Sequence, residues 1–403
     1  MCIVMRMTQL KDTIPRLHQL VPHMRDQLIG LRQGATFEEV RRRFIATVDQ
    51  LVADGLGRRT LSRVDDLDAY WSPAVGLLEE AIRLGFVQHQ PLPSARRYLD
   101  GYREKRFELT DTGLEIADAA HRDLGRFFDL VASAIINTHP YFERFVLLLK
   151  EAPLICPEVS EGDIVTGRRE GRGTQYWAEC AAERINRGPR EVVSAQDVKR
   201  EISIFLQRRF GKSPAEKPPN KALSEAMNDA FATVSVKARG LPIGATELKI
   251  LRAWGSQLRL LDQSRHVPAF QGSNLLWIAA DLETAKGRID ASRRTFKEHG
   301  LAVAQAVVAA YRSQAAANDS SLAAPYLSIY AVRAEAAFTC GVTRALVDIV
   351  LGRMANGTFP ELGVQVWLHL GRGDQPPPSE PVFRQGGSRR YQITITNQKE
   401  IAT

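Results

Sequence analysis

The residues of this sequence best suited to bind a ligand are arginines that occur in short clusters. The clusters read "VRRRF", "ARRY", "YREKRF", "TGRREGRG", "LQRRFGK" and "GSRRY". Guanidinium groups bind phosphate through paired hydrogen bonds and keep their charge at neutral pH. Fifty-four lysines and arginines against forty-six aspartates and glutamates give a net charge of +8. This balance alone indicates nucleic acid only weakly, so the positions of the clusters matter more.

Few spacings in the chain match those that enzymes need. "LQRRFGKS" ends like a phosphate-binding loop, but Leu206 occupies the first required glycine position and prolines follow Ser213. The tripeptides "DVK" and "ELK", at Asp197 and Glu247, have the acid-to-lysine spacing of metal nucleases, yet both lie in helical stretches. We therefore expect no enzyme activity and no cofactor, with a nuclease as the remaining enzyme alternative.

Cysteine, histidine and tryptophan are placed as structural residues rather than as ligands. Four cysteines are scattered without a CxxC pair: Cys2, Cys156, Cys180 and Cys340. The eight histidines form no HExxH or other paired spacing, so no metal site is expected. Four tryptophans fall at regular apolar positions, where core packing is expected rather than base stacking: Trp177, Trp254, Trp277 and Trp367.

Length and composition are those of a soluble globular protein. At 403 residues the chain is long enough for two or three domains that each bury a core. No run of eighteen apolar residues occurs, and the first twenty residues lack the apolar core and cleavage site of a secretory signal. The sequence therefore predicts a cytoplasmic protein without a membrane partner.

The N-terminal third predicts helices followed by a two-stranded ribbon. "TFEEVRRRFIATVDQLVADGLG" begins with a threonine cap and continues with apolar residues at helical spacing. "PAVGLLEEAIRLG" starts at Pro73 and stops at Gly85, the usual asymmetry of helix ends. "FVQHQPLPSARRYLDGYREKRFEL" predicts a strand, a basic loop and a strand, and "TDTGLEIADAAHRDLGRFFDLVASAI" predicts one long helix that starts at Thr110 and Asp111.

A helix ending in "LGFV", a ribbon with a basic loop, and "RFELTDTGLEIAD" before a further helix together resemble the winged-helix family. In that family the ribbon is the wing. Phe107 and Leu109 would point inward while Arg106 and Glu108 face water, because successive strand residues point to opposite sides. The resemblance covers about residues 60–120.

The end of the chain repeats this order of predicted elements. "SIYAVRAEAAFTCG" and "VTRALVDIVLGRMANG" predict two helices joined by a tight glycine turn. "GVQVWLHLG" and "RRYQITIT" predict half-buried strands on either side of "RGDQPPPSEPVFRQGGS". Residues 325–397 thus resemble a further winged helix, and two strand candidates in "LRLLDQSRHVPAFQGSNLLWIAADLE" indicate one more between them.

The predicted fold class is mainly α with small β-ribbons, as tandem winged-helix domains joined by helical segments. An N-terminal helical and winged-helix domain is expected at 1–137, and a central helical, winged-helix-like domain at 138–283. A linking helix is expected at 284–324 and a C-terminal winged-helix domain at 325–403. Within the central domain, "TGRREGRG" is expected to lie in a glycine- and arginine-rich loop.

The resemblance implies DNA contacts from the wings and from the second helix of a domain. In the first wing the expected phosphate contacts are Arg96, Arg97, Arg103, Lys105 and Arg106. In the last domain the exposed helix positions are expected to include Thr343, Arg344, Asp348 and Arg353. Its wing contacts are expected to be Arg372, Arg384, Arg389 and Arg390, with Gly386 and Gly387 allowing close backbone approach. Glu79 and Glu80 on the first domain's helix would repel phosphate, which favours contacts led by the wing.

These observations predict a non-enzymatic, largely sequence-independent binder of double-stranded DNA that works with protein partners in a larger bacterial assembly. Genome or phage defence is one setting for it, and the expected location is cytoplasmic and nucleoid-associated. One alternative is a scaffold that bridges subunits of a chromosome-organising ATPase complex through its terminal winged helices. A transcription regulator is the other, for which residues 300–317 are the candidate dimer helix.

Overall fold

The computed structural model describes residues 26–53, 71–91, 101–188, 192–211, 218–258, 260–279, 288–318, 324–370, 383–385 and 388–397. It is 64% helix and 15% strand, which confirms the predicted mainly helical fold with small ribbons. None of the helices in these segments is long and apolar enough to cross a membrane.

The N-terminal region contains two helices and a three-stranded antiparallel sheet: β1 Ala35–Thr36, α1 Phe37–Ala53, α2 Trp71–Arg83, β2 Val87–Pro91 and β3 Lys105–Leu109. Strand β3 lies in the middle, with Phe107 opposite both Ala35 and His89. Phe107 and Leu109 are buried and Arg106 is exposed, so the predicted alternation is confirmed.

Two helices follow where one long helix was predicted: α3 Asp111–Arg122 and α4 Leu124–Thr138. The start is as expected, because the Thr110 hydroxyl accepts a hydrogen bond from the Gly113 amide. The break falls at Asp123, which has an extended backbone. Its carboxylate accepts a hydrogen bond from the Arg126 amide at 3.2 Å, so Asp123 starts a second helix instead of continuing the first.

The central region holds most of the remaining helices: α5 Pro140–Glu151, α6 Glu161–Arg169, α7 Thr174–Ile185, α8 Ala195–Phe210, α9 Asn220–Ala238 and α10 Ala245–Gln257. Helices α6 to α9 share an apolar core that includes Ile164, Ile202 and Phe231. The prediction of a glycine- and arginine-rich loop is wrong for its first part, because those residues belong to helix α6. Ser160 and Asp163 form a reciprocal capping box that starts this helix.

A second three-stranded sheet consists of β4 Leu154–Pro157, β5 Leu261–Ser264 and β6 Ser273–Ile278. Strands β5 and β6 are the pair that the sequence predicts, and they are antiparallel. Strand β4, which the sequence did not predict, pairs with the free side of β6. The middle strand of this sheet is again the last in the chain.

The C-terminal region has one long helix, two short helices and a third antiparallel sheet: α11 Arg288–Ala317, β7 Leu327–Ser328, α12 Ile329–Cys340, α13 Arg344–Ala355, β8 Val364–His369, β9 Arg384–Gln385, β10 Ser388–Arg389 and β11 Gln392–Asn397. Strand β11 lies between β7 and β8, and β9 pairs with β10 as a separate ribbon. The core of this region includes Val332, Val347 and Ile393, together with Trp277 of β6.

The three-stranded sheets of the described segments share one order, in which the strand latest in sequence lies between the other two. The described residues belong to two compact units. One draws on Met1–Glu143, Lys249–Leu258 and Glu283–Ile289, and the other on Arg144–Leu248, Arg259–Leu282 and Asp290–Thr403. The domain boundaries predicted from the sequence stay predictions.

Candidate nucleic-acid interface

Two arginines face each other on the ribbon formed by β9 and β10. Arg389 is the register partner of Arg384, and both side chains are exposed. Directly opposite residues of an antiparallel pair project to the same side, where like charges repel. Among the residues that the structure describes, no carboxylate pairs with either guanidinium group. The ribbon therefore carries two positive charges that no described part of the protein neutralises.

The base of this ribbon is fixed to the C-terminal core. The Arg390 amide donates a hydrogen bond to the carbonyl of Phe383 at 3.0 Å, and the Tyr391 amide donates to His369 at 3.0 Å. Phe383 is buried in the apolar core, whereas Arg390 is half-buried. Burial and then the charge of Arg390 lower the pKa of His369, which places that arginine near the histidine ring.

The outer face of strand β8 carries an aromatic side chain that was predicted from the sequence to lie in the core. Trp367 is 50% exposed, so the prediction of core packing is wrong for this tryptophan. The reason is alternation along the strand, since Val366 takes the core side and Trp367 must point away from it. Trp254 and Trp277 are buried as predicted.

The prediction that Arg344 is exposed on the second helix is wrong. Arg344 is buried and forms an ion pair with Asp262 of strand β5, with Nη2 2.8 Å from Oδ1. Asp348 also points inward and contacts Arg333 at 3.2 Å. The Thr343 hydroxyl accepts a hydrogen bond from the Leu346 amide and caps the helix. Arginine at a helix start is buried here because a distant strand supplies its countercharge.

The residues that α13 leaves exposed are poorly suited to base recognition. Ala345 and Arg353 are exposed, and Ile349 has 48% of its surface exposed. Base edges are distinguished mainly by hydrogen bonds from arginine, lysine, asparagine and glutamine. Arg353 is the one cation predicted on this helix whose exposure is confirmed, so the helix offers little direct readout of sequence.

The arginines of the N-terminal ribbon are exposed, and each lies near an acidic side chain. Arg103 lies 3.9 Å from Glu38. Arg106 lies 3.4 Å from Glu108 and donates a hydrogen bond to the Gln33 carbonyl at 2.7 Å. These contacts offset part of the positive potential predicted for this wing.

An aromatic stack supports the same ribbon. Lys105 Nζ lies 5.5 Å from the centre of the Tyr102 ring, which stacks on Phe107. The Tyr102 hydroxyl donates a hydrogen bond to Glu79 at 2.9 Å, and burial together with this acid raises the pKa of Tyr102 to about 12. Lys105 therefore lies over an apolar stack that holds the ribbon in place.

The sequence predicted that Glu79 and Glu80 of α2 both face solvent. The structure shows that only one of this pair does. Glu79 is exposed, but Glu80 is completely buried beside His139 at 3.0 Å. His139 in turn packs on Trp254 with the ring centres 4.8 Å apart. Of these two acids, Glu79 is the one at the surface that would repel phosphate, so the electrostatic argument against groove binding by α2 is weaker than predicted.

The arginine clusters of the central region are largely engaged in contacts within the protein. Arg168 hydrogen-bonds Asn220 and the Pro218 carbonyl. Arg209 pairs with Glu225 at 2.6 Å. No group of three or more potential metal ligands occurs within the described segments.

Several predicted contacts lie outside the residues that the structure describes: Arg96, Arg97, Arg372, Gly386 and Gly387. Of the contacts predicted for the last domain, Arg384, Arg389 and Arg390 lie together on or directly beside the β9 and β10 ribbon. Sequence reasoning missed the exposed rings of Tyr326 and Trp367. Their signal was present in "PYLS" and "QVWLHL", where large apolar residues exceed what one strand face can bury.

Comparison with known proteins does not assign the chain to a family. No protein-family model, no curated protein and no solved structure matches the sequence or the fold.

Proposed function

We propose that this protein binds double-stranded DNA through its phosphate backbone, led by the arginine ribbon of β9 and β10. The observation that carries the proposal is the cross-strand pair of Arg384 and Arg389, both exposed and both without a described acidic partner. Like charges held opposite each other cost stability in the free protein. Phosphates bound by these two guanidinium groups offset that repulsion and gain charge-assisted hydrogen bonds.

The arrangement of elements supports a winged-helix interpretation of both terminal regions. Each has, in chain order, a short strand, two helices, a second strand and a last strand that pairs between the first two. That order is the one expected of tandem winged helices, whose wings lie along the DNA backbone. We propose that the β9 and β10 ribbon is the wing of the C-terminal domain and that the Lys105–Leu109 strand borders the wing of the first.

Sequence-independent binding follows from the side chains that helix α13 exposes. The inward positions of Arg344 and Asp348 leave α13 with few groups that distinguish base pairs. Binding governed by phosphate neutralisation has no sequence code and falls steeply with salt. If six to eight phosphates are neutralised, affinity falls on the order of a thousandfold between about 50 and 200 mM salt. Such a protein would be associated with chromosomal DNA in the cell.

A second candidate function is protein docking, as in a scaffold that joins subunits of a DNA-organising complex. The observation that favours it is the exposed apolar surface of α13, where Ile349 stands beside Ala345. An exposed apolar helix face suits a protein partner better than phosphate, which is bound by cations and hydrogen-bond donors. The two functions are compatible, because the ribbon and this helix face use different residues.

The experiment that tests DNA binding compares two double variants with the same change in charge. Arg384→Ala with Arg389→Ala removes the unpaired cations. Arg187→Ala with Arg200→Ala removes exposed cations that already pair with Glu183 and Asp197. We expect the ribbon variant to bind a blunt duplex about tenfold or more weakly in a fluorescence anisotropy titration, and the control to bind as the wild type does. Equal losses in the two variants would contradict the proposal.

A further inference from the structure

We infer that the outer face of the C-terminal sheet stacks unpaired bases, so that the protein prefers a duplex with a single-stranded extension to a blunt duplex. The inference rests on the proposed nucleic-acid function and adds a substrate class to it. It comes from the juxtaposition of exposed aromatic rings with the arginines that precede strand β11.

Three rings lie on this face. Trp367 and His369 are two residues apart on β8 and therefore project to the same side. The ring of Tyr326 packs edge-on against His369, with centres 4.7 Å apart. Tyr326 is 56% exposed and Trp367 is 50% exposed, so large parts of both rings are open to solvent.

A hydrogen bond from the neighbouring strand holds the central ring, His369, in place. His369 Nε2 lies 2.9 Å from the Thr394 hydroxyl on the neighbouring strand. Thr394 is also the register partner of Trp367, so the indole and the histidine ring lie on the same face of the sheet. A ring fixed before binding loses little conformational entropy when a base stacks on it. His369 is therefore fixed by its hydrogen bond, and its contact with Tyr326 orders one edge of the face.

Charge on this face fits a polyanion. Strand alternation places six residues of β8 and β11 on it, none of them acidic: Gln365, Trp367 and His369 on β8, and Gln392, Thr394 and Thr396 on β11. The charge of Arg390 acts on His369, and Arg389 ends the cationic ribbon one residue earlier. Aromatic rings beside unpaired cations are the combination with which proteins bind single-stranded nucleic acid.

The arginine ribbon and the aromatic face have separate roles in nucleic-acid binding. The ribbon arginines hold phosphates of the duplex, and the tryptophan and tyrosine rings take bases that a duplex keeps stacked inside. A blunt duplex engages only the ribbon. A duplex with a tail engages both, so the difference between the two ligands measures the aromatic face alone.

The test is an anisotropy titration of a blunt duplex and of the same duplex with a single-stranded tail of about ten nucleotides. We expect the wild type to bind the tailed duplex about tenfold more tightly. Trp367→Ala and Tyr326→Ala should each reduce that preference and leave blunt-duplex affinity unchanged. Ile349→Ala, which removes another exposed apolar side chain, is the matched control and should keep the preference.

Equal wild-type affinity for the two ligands would overturn the inference, and so would a loss in Trp367→Ala that is the same for both. A Trp367→Ala variant that binds both ligands as the wild type does would also overturn it and would point to a protein as the occupant of this face. Failure of the proposed function looks different, because there the Arg384→Ala and Arg389→Ala double variant binds the blunt duplex normally. Trp367→Phe keeps a stacking ring and should retain part of the preference, which separates stacking from misfolding.

Discussion

Asp262 of strand β5 and Arg344 of helix α13 form a buried ion pair across 82 residues of sequence. The carboxylate accepts hydrogen bonds from the Arg344 amide at 2.6 Å and from its guanidinium Nη2 at 2.8 Å. A carboxylate at a helix N-terminus also interacts favourably with the helix dipole. The pair links the second sheet to the helix that a winged helix would place against DNA, and it takes Arg344 away from any ligand.

Removing the acid of this pair should destabilise the protein without a direct effect on DNA affinity. Asp262→Ala removes the carboxylate that accepts the hydrogen bonds of the buried Arg344, so we expect a loss of about 3–5 kcal/mol in the free energy of unfolding. Glu183→Gln, which breaks an exposed pair with Arg187, should cost less than about 1 kcal/mol. Chemical denaturation of both variants measures the difference. Equal midpoints would show that the buried pair adds nothing to stability.

Stability should depend on pH through Asp348. Burial is the largest influence on this carboxyl group and raises its pKa to about 6, against the opposing effect of Arg333. The folded state therefore binds the proton more tightly than the unfolded state does. The resulting stabilisation is complete below about pH 4 and is lost as pH rises through 6, a change of about 3 kcal/mol.

Asp348→Asn cannot titrate, so its stability curve should lack this fall between pH 4 and 7. The comparison uses the slope of unfolding free energy against pH, because the substitution also alters the partner of Arg333 and hence the absolute stability. A variant with the same slope as the wild type would place the titration on another group.

The N-terminal ribbon should contribute less to binding than the C-terminal one. Arg103 and Arg106 lie close to Glu38 and Glu108, which offset their charge before DNA arrives. We expect Arg103→Ala with Arg106→Ala to weaken duplex binding by about threefold, less than the Arg384 and Arg389 double variant. Gel-shift titrations under one salt condition rank the two. A larger loss of affinity in the Arg103 and Arg106 variant would show that the N-terminal ribbon makes the main DNA contact.

Binding should be nearly independent of sequence. Helix α13 exposes Ala345 and Ile349 where a base-reading helix presents hydrogen-bonding side chains. Competition between unrelated duplexes of equal length should give affinities within about threefold of one another. A preference above about a thousandfold is the range of specific regulators and would favour the transcription-regulator alternative.

Local features were predictable from the sequence, whereas contacts between distant segments were not. Alternation predicted the burial of Phe107, and the cap at Thr110 was evident from residue types alone. Arg344 could not be placed, because its partner lies on another strand far away in the sequence. Trp367 was predicted to lie in the core, although alternation with Val366 and Leu368 already indicates the outward position that the structure shows.

The most direct test of the central claim is the salt dependence of duplex binding by the wild type and by the Arg384→Ala, Arg389→Ala variant. Each phosphate contact contributes about 0.9 to the slope of log affinity against log salt concentration. If the cross-strand arginines hold two phosphates, the variant's slope should be smaller by about 2. An unchanged slope would contradict the assignment of the ribbon as the DNA contact.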